Sequence, residues 1–475
     1  LKHKKRAFYS LIICMYIAIA SQISTGITIV YAAFSFEQLQ SLANGLSLFL
    51  IGTVIGLPFY SRIIDQKGSS LVYTLSLTAL ATSSLLISFA PSFGWVELGG
   101  FFIGLFGTAL IPMIPPLLFT ILTPEERKNI SIYTGSTLGF AIIAGPIIVS
   151  LLIYYVGWQA GFLLNIPFAL LALFFIQPYV KQLKPSHKVV FDIPSGILFT
   201  FSITCFTYGI RHIQDWGSNS VITYIVTGLF ITSLIIFFIR ERYFTKRFLS
   251  LHEFKKTNVL FLIVFFFFAG SFIYFYITFS ALFGIYVTQH PWSGLFISTL
   301  PFAIGMTIGN IATPYILRKT KLATFLLVNW LAITILTTIN ALWWDSFPIF
   351  ILATLFFLIG ISIGTLPPAV NGSIVQLSPN HRKIGAPSLA YFTFKLGGVL
   401  LLSLVSYALV FWFTNEIPSL NGISLHQLLM PHSAVNLAAY TSLQKLYNSL
   451  SLYAIFVTIL LGAYLAIQRY YYKRI

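Results

Sequence analysis

Residues 257–288 read TNVLFLIVFFFFAGSFIYFYITFSALFGIYVT, without a single Asp, Glu, Lys or Arg. A helix that crosses the hydrocarbon core of a bilayer needs ~20 mainly apolar residues, and this run is apolar on every face. A strand of a membrane barrel would alternate over ~10 residues, and no such alternation is present. Similar runs lie near 7–33, 41–61, 71–90, 96–121, 130–156, 158–179, 192–212, 219–240, 293–316, 322–342, 347–376, 385–413 and 447–469. The chain therefore reads as an all-α membrane protein of about fourteen transmembrane helices. The four phenylalanines Phe265–Phe268 are read as lipid-facing surface.

Composition agrees. The 475 residues are 57% hydrophobic and 8% charged, with a mean hydropathy of +0.88. Soluble domains carry roughly 25% charged residues, so lipid is the main solvent here. The net charge of +17 does not point to nucleic acid, because its distribution follows topology. The loops and tails on one side receive 25 of the 28 Lys and Arg, while the other side receives Arg211 and Lys445. That is the positive-inside pattern. It places both termini in the cytoplasm, and the basic start Lys2–Arg6 precedes a first helix that stays in the membrane. Cys14 and Cys205 lie in apolar runs and read as packing residues, and the eight His residues form no metal-ligand pair on a helix.

The longest cytoplasmic connections, 180–191 and 241–256, bracket a pair of spans. They divide the chain into a six-helix unit over 7–179, two linker helices over 192–240, and a six-helix unit over 257–469 with an outside loop at about 414–446. In that loop Leu428, Leu429 and Leu443 are expected to lie against the membrane surface. No loop is large enough for a polar catalytic platform, so no enzyme activity, catalytic residue or cofactor is expected. No phosphate-binding Gly-x-x-x-x-Gly-Lys-Ser/Thr loop is present either.

Several local patterns are specific. Asp65 and Gly68 end the sequence Ser61-Arg62-Ile63-Ile64-Asp65-Gln66-Lys67-Gly68 after the second span. A carboxylate near a helix end beside basic residues suits a latch between conformations. The fifth span carries Ala141-x-x-x-Gly145-Pro146-x-x-Val149-Ser150, followed by Gly157-Trp158-Gln159-Ala160-Gly161-Phe162 and Asn165-Ile166-Pro167. Asp192-x-x-Ser195-Gly196 opens the seventh span, and glycines punctuate 360–398. Together these resemble the fourteen-span drug:proton antiporter branch of the major facilitator superfamily. The resemblance is carried most by the joint spacing of Gly-Pro, Gly-Trp and Asn-x-Pro. It implies two six-helix bundles plus two inserted helices, inverted three-helix repeats, a substrate site between the bundles near mid-depth, and a bacterial plasma membrane location. Asp65, Gly68, Gly145 and Pro146 are then the conformational motifs.

Two charges of that family pattern are missing. Gly26 stands where the resemblance places a first-helix Asp, and Gly100 where it places a fourth-helix Arg. All eleven acids lie in loops or near span ends, whereas proton coupling needs a titratable group within the membrane. Lys395 is the one charge inside a span, just before Leu396-Gly397-Gly398. An ammonium at mid-depth costs on the order of 2.5–3.5 kcal/mol on insertion scales. It reads as a cavity group that binds an anionic substrate or joins in coupling, or as a side chain snorkelling to the interface. The other cavity candidates are Thr25, Thr28 and Tyr31 on the first span, Thr108 and Pro112 on the fourth, and Asn310 and Asn371 in the second six-helix unit. Arg211, His212 and Asp215 cluster where the seventh span meets the outside.

The leading functional expectation is a secondary transporter that exports drug-like or amphipathic small molecules by alternating access, with protons as coupling ion by family resemblance. A transporter of another metabolite, an anionic one included, with altered or absent proton coupling is the second. A non-transporting receptor or scaffold on the same fold is the third. The expected partners are a small-molecule substrate and the lipid bilayer.

Overall fold

The computed structural model describes residues 2–38, 41–67, 69–108, 110, 114, 118, 122–123, 126, 130–180, 192–217, 219–243, 259–288, 295–343, 348–377, 385–416 and 434–472. The side chains of some of these, Asp65, Pro146 and Arg211 among them, lie outside the description. The helices in chain order are α1 (Lys2–Ser35), α2 (Leu42–Lys67), α3 (Ser69–Ser88), α4 (Phe93–Gly107), α5 (Ile130–Val156), α6 (Trp158–Leu163), α7 (Asn165–Val180) and α8 (Ile193–Trp216). They continue with α9 (Val221–Tyr243), α10 (Val259–Thr288), α11 (Leu300–Leu317), α12 (Leu322–Trp343), α13 (Ile349–Gly364), α14 (Leu366–Leu377), α15 (Gly385–Glu416) and α16 (Ala434–Tyr472). No strand occurs among the described residues. Among the described residues, eight helices are long and apolar enough to cross a membrane, and six shorter apolar helices accompany them.

Two sequence motifs become local geometry. Gly157 joins α5 to α6 at φ 112, a backbone region that side-chain-bearing residues rarely adopt. The turn seats Trp158 against Phe36 and Phe162. At Leu164, three residues before Pro167, the backbone keeps right-handed helical angles, and what is lost is the hydrogen bond that the proline nitrogen cannot donate. Just beyond, the buried Asn165 Nδ2 donates to Ser84 Oγ of α3 at 3.2 Å. The span over 347–376 is interrupted in the same way at Thr365, ahead of Pro367-Pro368.

Lipid tails are as apolar as leucine, so helices in a membrane associate through close packing and hydrogen bonds. Glycine supplies the close approach. On α2, a Cβ at Gly52 would collide with the Phe101 carbonyl of α4, and one at Gly104 with the Phe49 carbonyl of α2. The pair α11 and α13 repeats this with Gly305 and Gly309 facing Phe357 and Ile361, and Gly360 and Gly364 facing Phe302 and Met306. Helices α1–α7 pack chiefly among themselves, as do α10–α16. The two groups meet along two seams, α2 against α15 and α5 against α11. The hairpin of α8 and α9 stands beside them, with α8 touching both α2 and α15.

The hairpin shows the inside-out polarity of a membrane element. Helix α9 buries Thr223, Ser233, Phe237 and Glu241 and exposes Ile222, Ile225, Ile231, Ile235 and Ile239. Ser202 donates to Ser233 Oγ at 2.8 Å. Arg240 grips the carboxylate of Asp192 through Nε at 3.0 Å and Nη2 at 2.9 Å, and Ser195 donates to the same carboxylate. Burial alone would raise the Asp192 carboxyl. The hydrogen bonds from Arg240 and Ser195 outweigh that and hold it below the ordinary carboxylate value. The Asp-x-x-Ser-Gly motif is thus the first half of a clamp whose second half is Arg240.

Two expectations are corrected. The Phe265–Phe268 run is not all lipid-facing surface, and only Phe267 and Phe268 are partly exposed. Phe265 and Phe266 are buried, packed on Trp330 and Phe394, because α10 is an interior helix flanked by α15 and the turn before α11. The outside loop is shorter than 414–446, since α16 is helical from Ala434. Leu443 is buried in the core on that extension, while Leu428 and Leu429 lie outside the described residues. Asp65 stands two residues before the end of α2 at Lys67, near a helix end as the sequence suggests. Gly68 lies outside the described residues.

Candidate substrate site

The site is built around Lys395. Counting 1.5 Å per residue, it stands about 15 Å along α15 from Gly385, half the ~30 Å depth of a bilayer core. Its side chain is 3% exposed, so it does not snorkel to an interface. Its position follows from the packing of α15 on α10. A Cβ at Gly397 would strike the Phe267 carbonyl, one at Gly270 the Phe394 carbonyl, and one at Gly398 the Tyr274 ring. These three glycines bring α15 down onto α10 and lay Tyr274 beside Lys395, whose Nζ is 5.0 Å from the ring centroid. A cation over the face of an aromatic ring is attracted by the ring quadrupole.

From the other group of helices, Gln22 of α1 reaches the same point. Lys395 Nζ donates to Gln22 Oε1 at 2.5 Å, and Gln22 Nε2 donates to Thr108 Oγ1 at 2.8 Å. An ammonium has three donors and no acceptor, so the amide oxygen must face Lys395 and the NH2 must face Thr108. All three residues are buried. The chain Thr108–Gln22–Lys395–Tyr274 therefore runs from α4 and α1 across to α15 and α10, between the two groups of helices. Among the described residues, no carboxylate pairs with Lys395.

Of the residues the sequence singled out, Lys395 and Thr108 are brought together. Thr25 and Thr28 are on α1 but spend their hydroxyls locally, donating to the Ser21 and Ser24 carbonyls at 2.7 Å each. Thr28 also abuts Gly161 of α6, so it packs α1 rather than facing Lys395. Tyr31 is half-buried against the core. Asn310 donates to the Met306 carbonyl at 3.1 Å within α11. Asn371 lies on α14 with its Oδ1 buried and without a partner. Pro112 lies outside the described residues. A Cβ added at Gly145 would lie 3.7 Å from Ala20 of α1, the small-residue approach its motif suggested, and Pro146 continues α5. His212 stacks with Trp216 at 5.3 Å and packs on Tyr208 at 4.4 Å.

Sequence reading missed Gln22 and Tyr274. Gln22 carried a signal, an amide within an apolar span three residues before Thr25. Tyr274 carried none among its many aromatic neighbours.

The two glycines at the expected charged positions differ. Gly100 is packed, since a Cβ there would lie 3.2 Å from Ile29. Gly26 is open, with nothing within 4 Å of an added Cβ. Gly26 is one turn beyond Gln22, so the two share a face of α1.

Paired helices with two seams and a buried polar chain between them match a known family. Its sequence profile, Major Facilitator Superfamily, covers residues 9–402. The chain belongs to the Major Facilitator Superfamily. This chain is similar to Multidrug resistance protein 3 of Bacillus subtilis (strain 168), at 27% identity over 295 residues, covering 60% of this chain and 56% of that protein. It is also similar to Riboflavin transporter RibZ of Clostridioides difficile (strain 630), at 25% identity over 228 residues, covering 47% of each. The chain thus spans about half the length of the curated relatives it matches. The fold resembles the crystal structure of the POT family transporter PepTSo, with a TM-score of 0.61 at 13% identity, covering 97% of this chain and 99% of that one.

Proposed function

We propose that this superfamily member is a secondary transporter that exports drug-like or amphipathic small molecules across a bacterial plasma membrane by alternating access. The observation that carries the reading is the Lys395–Gln22 hydrogen bond, a buried polar link between two groups of helices that must separate on one side for a substrate to pass. The names of the similar proteins, a multidrug resistance protein and a riboflavin transporter, support a small-molecule cargo. In this reading the chain has fourteen spans arranged as six, two and six, with both termini in the cytoplasm. Asp65 and Gly68 latch the cytoplasmic side, and Gly145 and Pro146 let α5 move against α1.

Proton coupling is the finer part of the proposal. With Gly at 26 and 100, Lys395 is the charged side chain that, among the described residues, links the two groups of helices, and coupling acts through its release from Gln22. A second reading, transport without proton coupling, is favoured by those same two glycines. A compound-efflux screen of cells with and without the protein, repeated after collapse of the proton gradient, tests both. Export that stops on collapse supports coupling, and export that continues supports the second reading. No protein-dependent export of any compound removes the exporter proposal.

A further inference from the structure

We infer that the interior accepts an organic anion, and that the carboxylate of an amphipathic aromatic substrate displaces the Gln22 amide oxygen from Lys395. The inference rests on the transport reading and names its substrate class.

Three observations converge. The first is an unbalanced charge. Lys395 is buried with three donors to place, yet among the described residues its partners are one neutral amide oxygen and the face of one neutral ring. A buried cation is costly unless paired with an opposite charge. The second is room. Gly26 lies on the Gln22 face of α1, about 6 Å further along the axis, and an added Cβ there meets nothing within 4 Å. Gln22 on that face reaches Lys395 of α15, so the open space lies one helical turn along α1 from the ammonium's own partner. The third is the wall. Tyr274 presents its ring to Lys395, and Phe394 stands 5.9 Å from Tyr274 and Tyr391 5.6 Å from Phe394. A charged head beside an aromatic wall suits a flat, apolar body carrying one carboxylate.

The exchange follows the presence of substrate. A carboxylate accepts from an ammonium about twice as strongly as a neutral acceptor does, so substrate wins Lys395 while it is present. When it leaves, the Gln22 oxygen returns, and the ammonium is never left without an acceptor. Gln22 keeps its bond to Thr108 throughout, which holds it ready.

The test uses purified full-length chain in lipid nanodiscs and a panel of paired probes: 2-naphthoate with 2-naphthamide, and dansylglycine with its primary amide. At least one carboxylate is expected to bind tenfold or more tightly than its amide. Lys395→Gln is expected to reduce the carboxylate to the level of the amide, with Lys395→Arg retaining most of the preference. Gln22→Glu, which sets a permanent carboxylate on Lys395 in an isosteric side chain, is expected to abolish carboxylate binding in a protein that remains monodisperse. Equal binding of acids and amides, binding of neither, or a preference that survives both Lys395→Gln and Gln22→Glu overturns the inference. Vesicle flux separates this from the transport reading. Saturable flux of amides alone sinks the anion inference and leaves transport standing, whereas carboxylate binding without any flux does the reverse.

Discussion

Gln22 and Lys395 are 373 positions apart in the chain and share one buried hydrogen bond of 2.5 Å. The partners depend on each other unequally. Removing the amide leaves a buried ammonium short of an acceptor, whereas removing the ammonium leaves a neutral amide that keeps Thr108. Leaving a buried donor without its acceptor costs about 1–3 kcal/mol, and more where the donor is charged. Gln22→Leu is therefore expected to lower the midpoint of thermal unfolding in detergent more than Lys395→Leu does. The double variant should be more stable than the sum of the singles by about 0.5–3 kcal/mol. Additive losses would show that the pair is not coupled.

The Asp192–Arg240 clamp gives an acid-side prediction. The Asp192 carboxyl is held below its ordinary value of 3.8, so its contribution is present above the unfolded-state value and is lost as pH falls through the lowered folded-state value. Asp192→Asn is expected to cost on the order of 1–3 kcal/mol near neutrality, as loss of hydrogen bonds to a charged group. It should also flatten the loss of stability of the wild-type protein below about pH 4. Thermal unfolding followed between pH 3 and 7 reads both effects. A variant with the same acid limb as wild type would place the acid sensitivity elsewhere.

Glycine substitutions should divide by what each Cβ would meet. Gly397→Val drives side-chain atoms into the Phe267 carbonyl and is expected to destabilise by about 1–3 kcal/mol or more, as overpacking does. It should also abolish substrate binding, because α15 can no longer set Lys395 beside Tyr274. Gly228→Ala and Gly462→Ala, where nothing lies within 4 Å, are expected to be neutral or to stabilise by up to about 1 kcal/mol through helix propensity. Melting temperatures of the three variants settle the ordering.

Asn340 of α12 is buried with both amide atoms unpaired, and the Tyr447 hydroxyl of α16 is likewise without a partner. A buried polar group without a partner costs about 1–3 kcal/mol. Asn340→Leu is expected to raise the unfolding midpoint. A fall instead would indicate that the amide holds ordered water, which buried polar groups commonly recruit.

The membrane class, the helix positions and the motif turns were legible in the sequence because each is a local property. Lys395 stood out because one charge in an apolar span is conspicuous. Its partner did not, because a glutamine amide in a helix carries no sign of where it points, and the contact joins α1 to α15. The interior position of Phe265 and Phe266 was equally hidden, since lipid and protein core select the same apolar side chains. The start of α16 was misplaced because Asn436, Thr441, Gln444 and Lys445 lower the hydropathy of a segment that is nevertheless helical.

The placement of α8 sets a mechanical constraint. It is tied to α9 by the Asp192–Arg240 and Ser202–Ser233 contacts, yet it leans on α2 from one group of helices and on α15 from the other. If those groups rock, this hairpin cannot stay attached to both, and one of its two faces becomes a sliding bearing. A disulfide fixing α8 to α2 and another fixing it to α15 should then differ in effect: the cross-link on the bearing face stalls turnover, and the one on the riding face does not.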